Sequence, residues 1–222
     1  MSEAAVQEPQ VATSGNEALL QRADLLYCLA QAFLPPPSHW TVCDWAQPLV
    51  DDLTEMAPGL PGLDLEDVKA ALAAECARWA AQARAGGGDT WLVEYSRLFL
   101  VPPVPVTLNA GVYLEGALGG SSTQMMLACY EMAGVKPDER FHDLPDHVAM
   151  QLEFLARLYE RAARGDADAQ AMAEEFAAEF VHAWGGALQQ ACRKAAASFP
   201  AAAVFVALAR LVRQTLGDPG LV

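Results

Sequence analysis

Two short stretches hold side chains whose types and spacing could do chemistry. Asp146 and His147 stand side by side after Pro145, and Glu94-Tyr95-Ser96-Arg97-Leu98-Phe99 runs from an acid through aromatic and aliphatic residues into Val101-Pro102-Pro103-Val104-Pro105. An acid beside a histidine is what general acid–base catalysis or a metal site would use. The other histidines complete neither. His39, His142, His147 and His182 make no i, i+4 pair, and no neighbouring cysteine or acid set rounds out a tetrahedral site. There is no Gly-x-Ser-x-Gly elbow and no Gly-x-x-x-x-Gly-Lys phosphate loop, and Gly86-Gly87-Gly88 follows a helical segment rather than opening one. Neither an enzyme nor a metal or cofactor site is expected. What the two stretches do combine is carboxylate, aromatic surface and extended proline-rich backbone. That chemistry suits a polypeptide carrying cations next to apolar side chains.

Each of these residues also has a plain structural reading. With Asp143 as N-cap, Asp146 falls at N3 of the next helix, where an acid gains about 0.3–1 kcal/mol from the helix N-terminus. Capping accounts for Asp146 as well as peptide binding does. His147 and Gln151 lie one turn apart on a face continuing through Phe154 and Leu158, so a packed, hydrogen-bonded histidine is the ordinary expectation and a binding-site histidine the alternative. Trp91, Tyr95 and Leu98 have the spacing of core, with Phe99 and the prolines Pro102 and Pro103 at its edge. Glu153 with Arg157 and Glu160 with Arg164 read as a solvated face.

The elements that position these residues are helices. Apolar residues recur at helical spacing throughout, and no alternating segment bounded by hairpin turns occurs, so the fold class is all-α. In Asn16 to about Leu34, residues Leu19, Ala23, Leu26, Ala30 and Phe33 form one stripe that Pro35-Pro36-Pro37 stops. Further helices are expected from a Ser38 cap to Met56, Asp64 to Ala85, Asp89 to Leu100, Ser121 to Ala133, Pro145 to Arg164, Asp166 to Ala197 with a break at Gly185-Gly186, and Ala201 to Leu216 after a Ser198 cap. That is a bundle of roughly eight to ten helices with no fixed-period repeat. With 222 residues, the expectation is one domain, 16–222, behind a disordered tail, 1–15.

Composition narrows the partners. Twenty-eight acids against 14 lysines and arginines give a net charge of −14, a surface that repels phosphate backbones and attracts cations, screened beyond about 8 Å at physiological salt. Nucleic acid is not an expected ligand and a basic peptide is. No segment reaches the roughly 18 uncharged apolar residues that would span a bilayer, and Met1 to Gly15 has no signal-peptide pattern, so the expected location is the cytoplasm. The five cysteines are scattered without a Cys-x-x-Cys pair and read as small hydrophobes.

Four pieces in order carry a resemblance: Glu94 to Phe99 followed by the proline loop; Tyr113-Leu114-Glu115-Gly116 leading to Ser122-Thr123 and Tyr130; Pro145-Asp146-His147; and Phe180-Val181-His182-Ala183-Trp184. Together, over about Asn16 to Leu216, the chain resembles the TorD/DmsD/NarJ family of redox-enzyme maturation chaperones. Two departures stand out. Val106-Thr107-Leu108-Asn109-Ala110 replaces an aromatic-containing Pro-Pro run, and Gln151 stands where an acid is common. The resemblance implies a monomeric or dimeric chaperone that binds the catalytic subunit of a molybdopterin oxidoreductase, or its twin-arginine leader peptide, before cofactor insertion and export. It places client binding at Glu94, Tyr95, Leu98, Phe99, Pro102, Pro103, Asp146, His147 and Gln151. The other reading is a helical scaffold that binds a protein unrelated to metalloenzyme assembly.

Overall fold

The computed structural model describes residues 10–136 and 143–221. Among these the chain is all-α, with no strand beyond a single isolated bridge between Asn109 and His147. Ten α-helices follow in order: α1 (Gln10–Ala32), α2 (Val42–Met56), α3 (Glu66–Arg84), α4 (Trp91–Phe99), α5 (Ala110–Leu114), α6 (Ser121–Met132), α7 (Val148–Ala163), α8 (Ala167–Phe176), α9 (His182–Ala195) and α10 (Ala202–Thr215). Helix α1 starts at Gln10, inside the stretch expected as tail; residues 1–9 lie outside the described residues.

The stripe on α1 is buried as its spacing demands, with Ala23, Leu26, Ala30 and Phe33 fully enclosed and Leu19 half-buried. It packs along α7, the most extensive helix pair in the fold. Several boundaries differ from the expected ones for local reasons. Helix α2 is capped by Thr41, not Ser38: the Thr41 hydroxyl accepts from the Asp44 amide at 3.2 Å and the Asp44 carboxylate accepts from the Thr41 amide at 2.9 Å, a closed capping box. Helix α10 begins at Ala202 with no side-chain cap from Ser198.

Gly185-Gly186 does not break α9. A Cβ on Gly185 would stand 3.3 Å from the Arg213 side chain, so these glycines let Arg213 of α10 lie across α9, where it donates to Gln189 at 2.8 Å and pairs with Asp218. The irregularity falls earlier, in a π-helical turn at Ala177–Val181 joining α8 to α9. No described helix is long and apolar enough to cross a membrane.

One ring lies at the centre of the packing. Phe205 of α10 meets Phe99 at 4.7 Å between centroids, Trp91 at 6.0 Å in a stacked arrangement, Tyr95 at 6.3 Å, Trp45 at 6.4 Å and Phe33 at 5.9 Å. This cluster joins α2, α4, α10 and the end of α1, so the orientation of α4 is set by aromatic packing rather than by its own nine residues. Phe205→Ala should therefore lower stability by about 3–5 kcal/mol, read as a shift of the urea unfolding midpoint at unchanged slope.

Candidate functional site

Helix α4 turns Trp91, Tyr95, Leu98 and Phe99 inward, and all four are buried. The Tyr95 hydroxyl donates to the Phe33 carbonyl at 2.9 Å, satisfying an acceptor that the end of α1 would otherwise leave without a helical partner. After α4 the chain makes a tight loop through Pro102-Pro103, whose peptide bond is cis, and the Val106 amide closes it onto the Leu98 carbonyl at 3.2 Å. The tip of that loop is apolar and exposed: Leu100, Val101 and Val104 are 52%, 53% and 42% accessible.

The segment after the loop is stitched to the start of α7. The Ala110 amide donates to the Asp146 carbonyl at 3.0 Å and the Val148 amide to the Leu108 carbonyl at 2.8 Å, the strand-like bridge of the fold. Asp146 is fully buried, and its carboxylate accepts from the Gly111 amide at 2.9 Å and from Asn109 Nδ2 at 3.2 Å. A Cβ on Gly111 would lie 2.9 Å from that carboxylate and 2.8 Å from the Ala117 carbonyl, so only glycine allows the approach. The N-cap of α7 is His147, not Asp143: its Nδ1 accepts from the Ala149 amide at 3.1 Å. Asp146 thus lies one residue before the cap, and the expected N3 capping role is corrected to a buried clamp on the 109–111 backbone.

Gln151 is also enclosed. Its Oε1 accepts from the Trp184 indole at 2.9 Å and its Nε2 donates to the Asp146 carbonyl at 2.7 Å. A position that must accept on one side and donate on the other suits an amide and not a carboxylate, which accounts for the glutamine at this position. The His-x-Trp element is structural in the same way, since His182 Nε2 lies 3.2 Å from the Leu216 carbonyl at the end of α10.

Between α4, the end of α1 and the 107–109 segment lies a cavity of about 450 Å³. Tyr95, Phe99 and His147 line it, as the motifs suggested, joined by Leu34, Pro35, Leu100, Thr107, Leu108, Asn109 and Asp143. The remaining expected site residues are elsewhere. Leu98 is core. Glu94 stands between two guanidiniums, 3.5 Å from Arg78 and 3.4 Å from Arg97, so its charge is already matched. Pro102 and Pro103 are exposed on the loop beyond the cavity wall, while Asp146 and Gln151 are behind it. Asp143 is the sole carboxylate among the lining residues, and it accepts from Asn109 Nδ2 at 3.0 Å. Thr107 to Asn109, in the segment that stands in place of the aromatic run, form part of the wall. Leu34 and Pro35 carried no signal beyond ending a helix.

Burial of His147 disfavours the imidazolium and holds its pKa below the ordinary 6.5, with Asp143 and Asp146 partly offsetting this. Burial likewise raises the phenol of Tyr95 and pushes the thiols of Cys28, Cys76 and Cys192 up to about 12, which disfavours their thiolates. Among the described residues no group of His, Cys, Asp and Glu could hold a metal ion.

With this geometry, the comparison with known families is decisive. A family model described as nitrate reductase delta subunit matches residues 65–190, more than half of the chain. The chain belongs to this family. It is the family of molybdoenzyme maturation chaperones to which the order of motifs pointed, and the match takes in all four of the motif pieces, from Glu94 to Trp184. A comparison with curated proteins finds no significant match.

Two outcomes follow for delta-subunit family residues at this site. Asp146→Ala leaves the buried Gly111 amide without its acceptor and should cost about 1–3 kcal/mol in urea unfolding. His147→Asn keeps a capping side chain and removes the titration. Because the unfolded chain takes up its proton near pH 6.5 while the folded chain resists, the wild type has the full contribution above that pH and loses it as pH falls toward the lowered folded value. Melting temperature followed from about pH 7 to 5 should therefore fall less steeply in His147→Asn than in the wild type.

Proposed function

We propose that this delta-subunit family member is a dedicated cytoplasmic chaperone that holds the unassembled catalytic subunit of a molybdopterin oxidoreductase, through its twin-arginine leader or an adjoining apolar segment, until cofactor insertion is complete. The observation that carries this reading is the juxtaposition of an apolar, nearly uncharged cavity with an exposed apolar loop, the loop and every cavity-lining residue except Leu34 and Pro35 being inside the stretch matched by the family model. Leu100, Val101 and Val104 are exposed close together in sequence on that loop, and clustered exposed apolar residues are a feature of interaction surfaces.

The parts divide the work. Tyr95 and Phe99 are held from behind by Phe205, so they offer a rigid apolar wall rather than mobile side chains. Asn109 and Asp143 offer polar atoms at the opposite wall, where backbone amides of an extended or irregular client segment can be met. Nothing in this arrangement acts on a bond; it grips and releases.

Co-expression with a twin-arginine molybdopterin oxidoreductase catalytic subunit from a neighbouring gene should yield a complex containing the apo-subunit, and failure with every such neighbour would sink the reading. Leu100→Asp with Val104→Asp, which alters only exposed positions, should weaken retention by about tenfold, roughly 1.4 kcal/mol, with the melting temperature unchanged.

A further inference from the structure

A second and larger cavity, about 730 Å³, lies between α1 and α2, and α1 and α2 are both outside the residues matched by the family model. Helix α2 presents Trp45, Leu49, Asp52 and Met56 to it, spaced 4, 3 and 4, so one continuous stripe runs along the groove. Helix α1 presents Tyr27, Cys28 and Gln31 from the other side, and Trp40 with Pro35-Pro36-Pro37 closes one end. Eleven residues of α2, Trp45 to Glu55, make a trough of about 16 Å at 1.5 Å per residue, room for roughly three turns of a helix.

The charge of this groove is one-sided. Asp24, Asp52 and Glu55 line it, all exposed, and no lysine or arginine does. None of the three carboxylates makes an ion pair among the described residues, whereas Glu75, Glu94, Asp89, Asp166 and Asp218 are each beside an arginine. An apolar floor under unmatched carboxylates selects an occupant with apolar and cationic side chains together, because burying either alone gains less. The floor is indeed apolar: desolvation pushes the Cys28 thiol up to about 12, and Asp52 adds to it.

We propose that the α1/α2 groove is a docking surface for an amphipathic helical segment of the polypeptide client, about three turns long, whose arginines or lysines meet Asp24, Asp52 and Glu55. The groove shares Leu34 and Pro35 with the Tyr95–His147 cavity, so the two surfaces are continuous and one client chain can cross from one to the other. For the identity of the client this rests on the proposed function; for the chemistry of the segment it rests on the groove alone.

The test uses the full chain and a synthetic, tryptophan-free peptide of about 14 residues with leucines on one helical face and arginines flanking them, alongside the same peptide with glutamine in place of arginine. The arginine peptide should change the tryptophan emission and bind at least tenfold more tightly than the glutamine peptide. Asp24→Asn, Asp52→Asn and Glu55→Gln combined should lose at least tenfold, Glu175→Gln with Glu179→Gln should lose little, and Trp40→Phe should reduce the emission change, Trp45 supplying the rest, with circular dichroism confirming the fold of each. Equal binding of the two peptides, equal loss in the Glu175 and Glu179 control, or an emission change left undiminished by Trp40→Phe overturns the proposal. If the wild type retains the apo-subunit but the peptide result is negative, only the groove falls. If it retains no client, the function falls and the peptide still decides the groove.

Discussion

Asp146 is a carboxylate with no access to water, and a charge in that position is stable only when its lone pairs are taken up by donors held in place. The donors are the Gly111 amide and the Asn109 side chain, at the start of the five-residue α5. The backbone of the same residue accepts from Ala110 and from Gln151, and Gln151 in turn takes the indole of Trp184. Through one residue the 107–111 segment, the start of α7 and the start of α9 become a single rigid body. The far wall of the Tyr95–His147 cavity is that body. Remove the carboxylate and the Gly111 amide is buried without an acceptor while Asn109 keeps only Asp143, so the wall cannot simply stay where it is.

The near wall has a different origin. Tyr95 and Phe99 are one turn apart on α4, so both face inward, and the ring of Phe205 holds them there from α10. The Tyr95 hydroxyl then fixes the end of α1, which carries Leu34 and Pro35 into the cavity. An aromatic cluster is stiff because interiors pack at crystal-like density. A hydrogen-bonded clamp is stiff because its polar groups have nowhere else to go. The cavity lies between two walls made rigid by these unlike means, which suits recognition by shape rather than by closure of a lid.

How much of this was legible in the sequence depended on the range of the determining interaction. The helices were legible because their apolar stripes are local, and Pro35-Pro36-Pro37 and Gly86-Gly87-Gly88 marked real ends. Helix α5 was missed because five residues are too few for a period. The continuity of α9 through Gly185-Gly186 was missed because its cause, Arg213, is 27 positions away. At the candidate site, the grouping of Tyr95, Phe99 and His147 at one cavity was legible through their motifs. The orientation of Asp146 and Gln151 was not, because it hinges on the cap: with Asp143 as N-cap Asp146 would be in the helix, and with His147 as N-cap it is outside. Each residue of shift turns a side chain by about 100° around the helix axis, and the bond that decides the matter comes from Gly111, which no local pattern announces.

The distribution of acids makes the final distinction. A chain with net charge −14 could be supposed to offer negative surface everywhere, yet the acids nearest the motif cavity are occupied. Glu94 is shared by Arg78 and Arg97, Asp146 is buried on amides, and Asp143 bonds Asn109 and the Leu144 amide. A carboxylate already meeting donors gains little from a further cation, since the new pair must displace the old. A cationic ligand is therefore selected by unmatched acids, and acids engaged in holding the fold contribute to it only through the long-range field. That field speeds encounter and fades within a Debye length. In this molecule the acids of the motif are the ones the architecture uses.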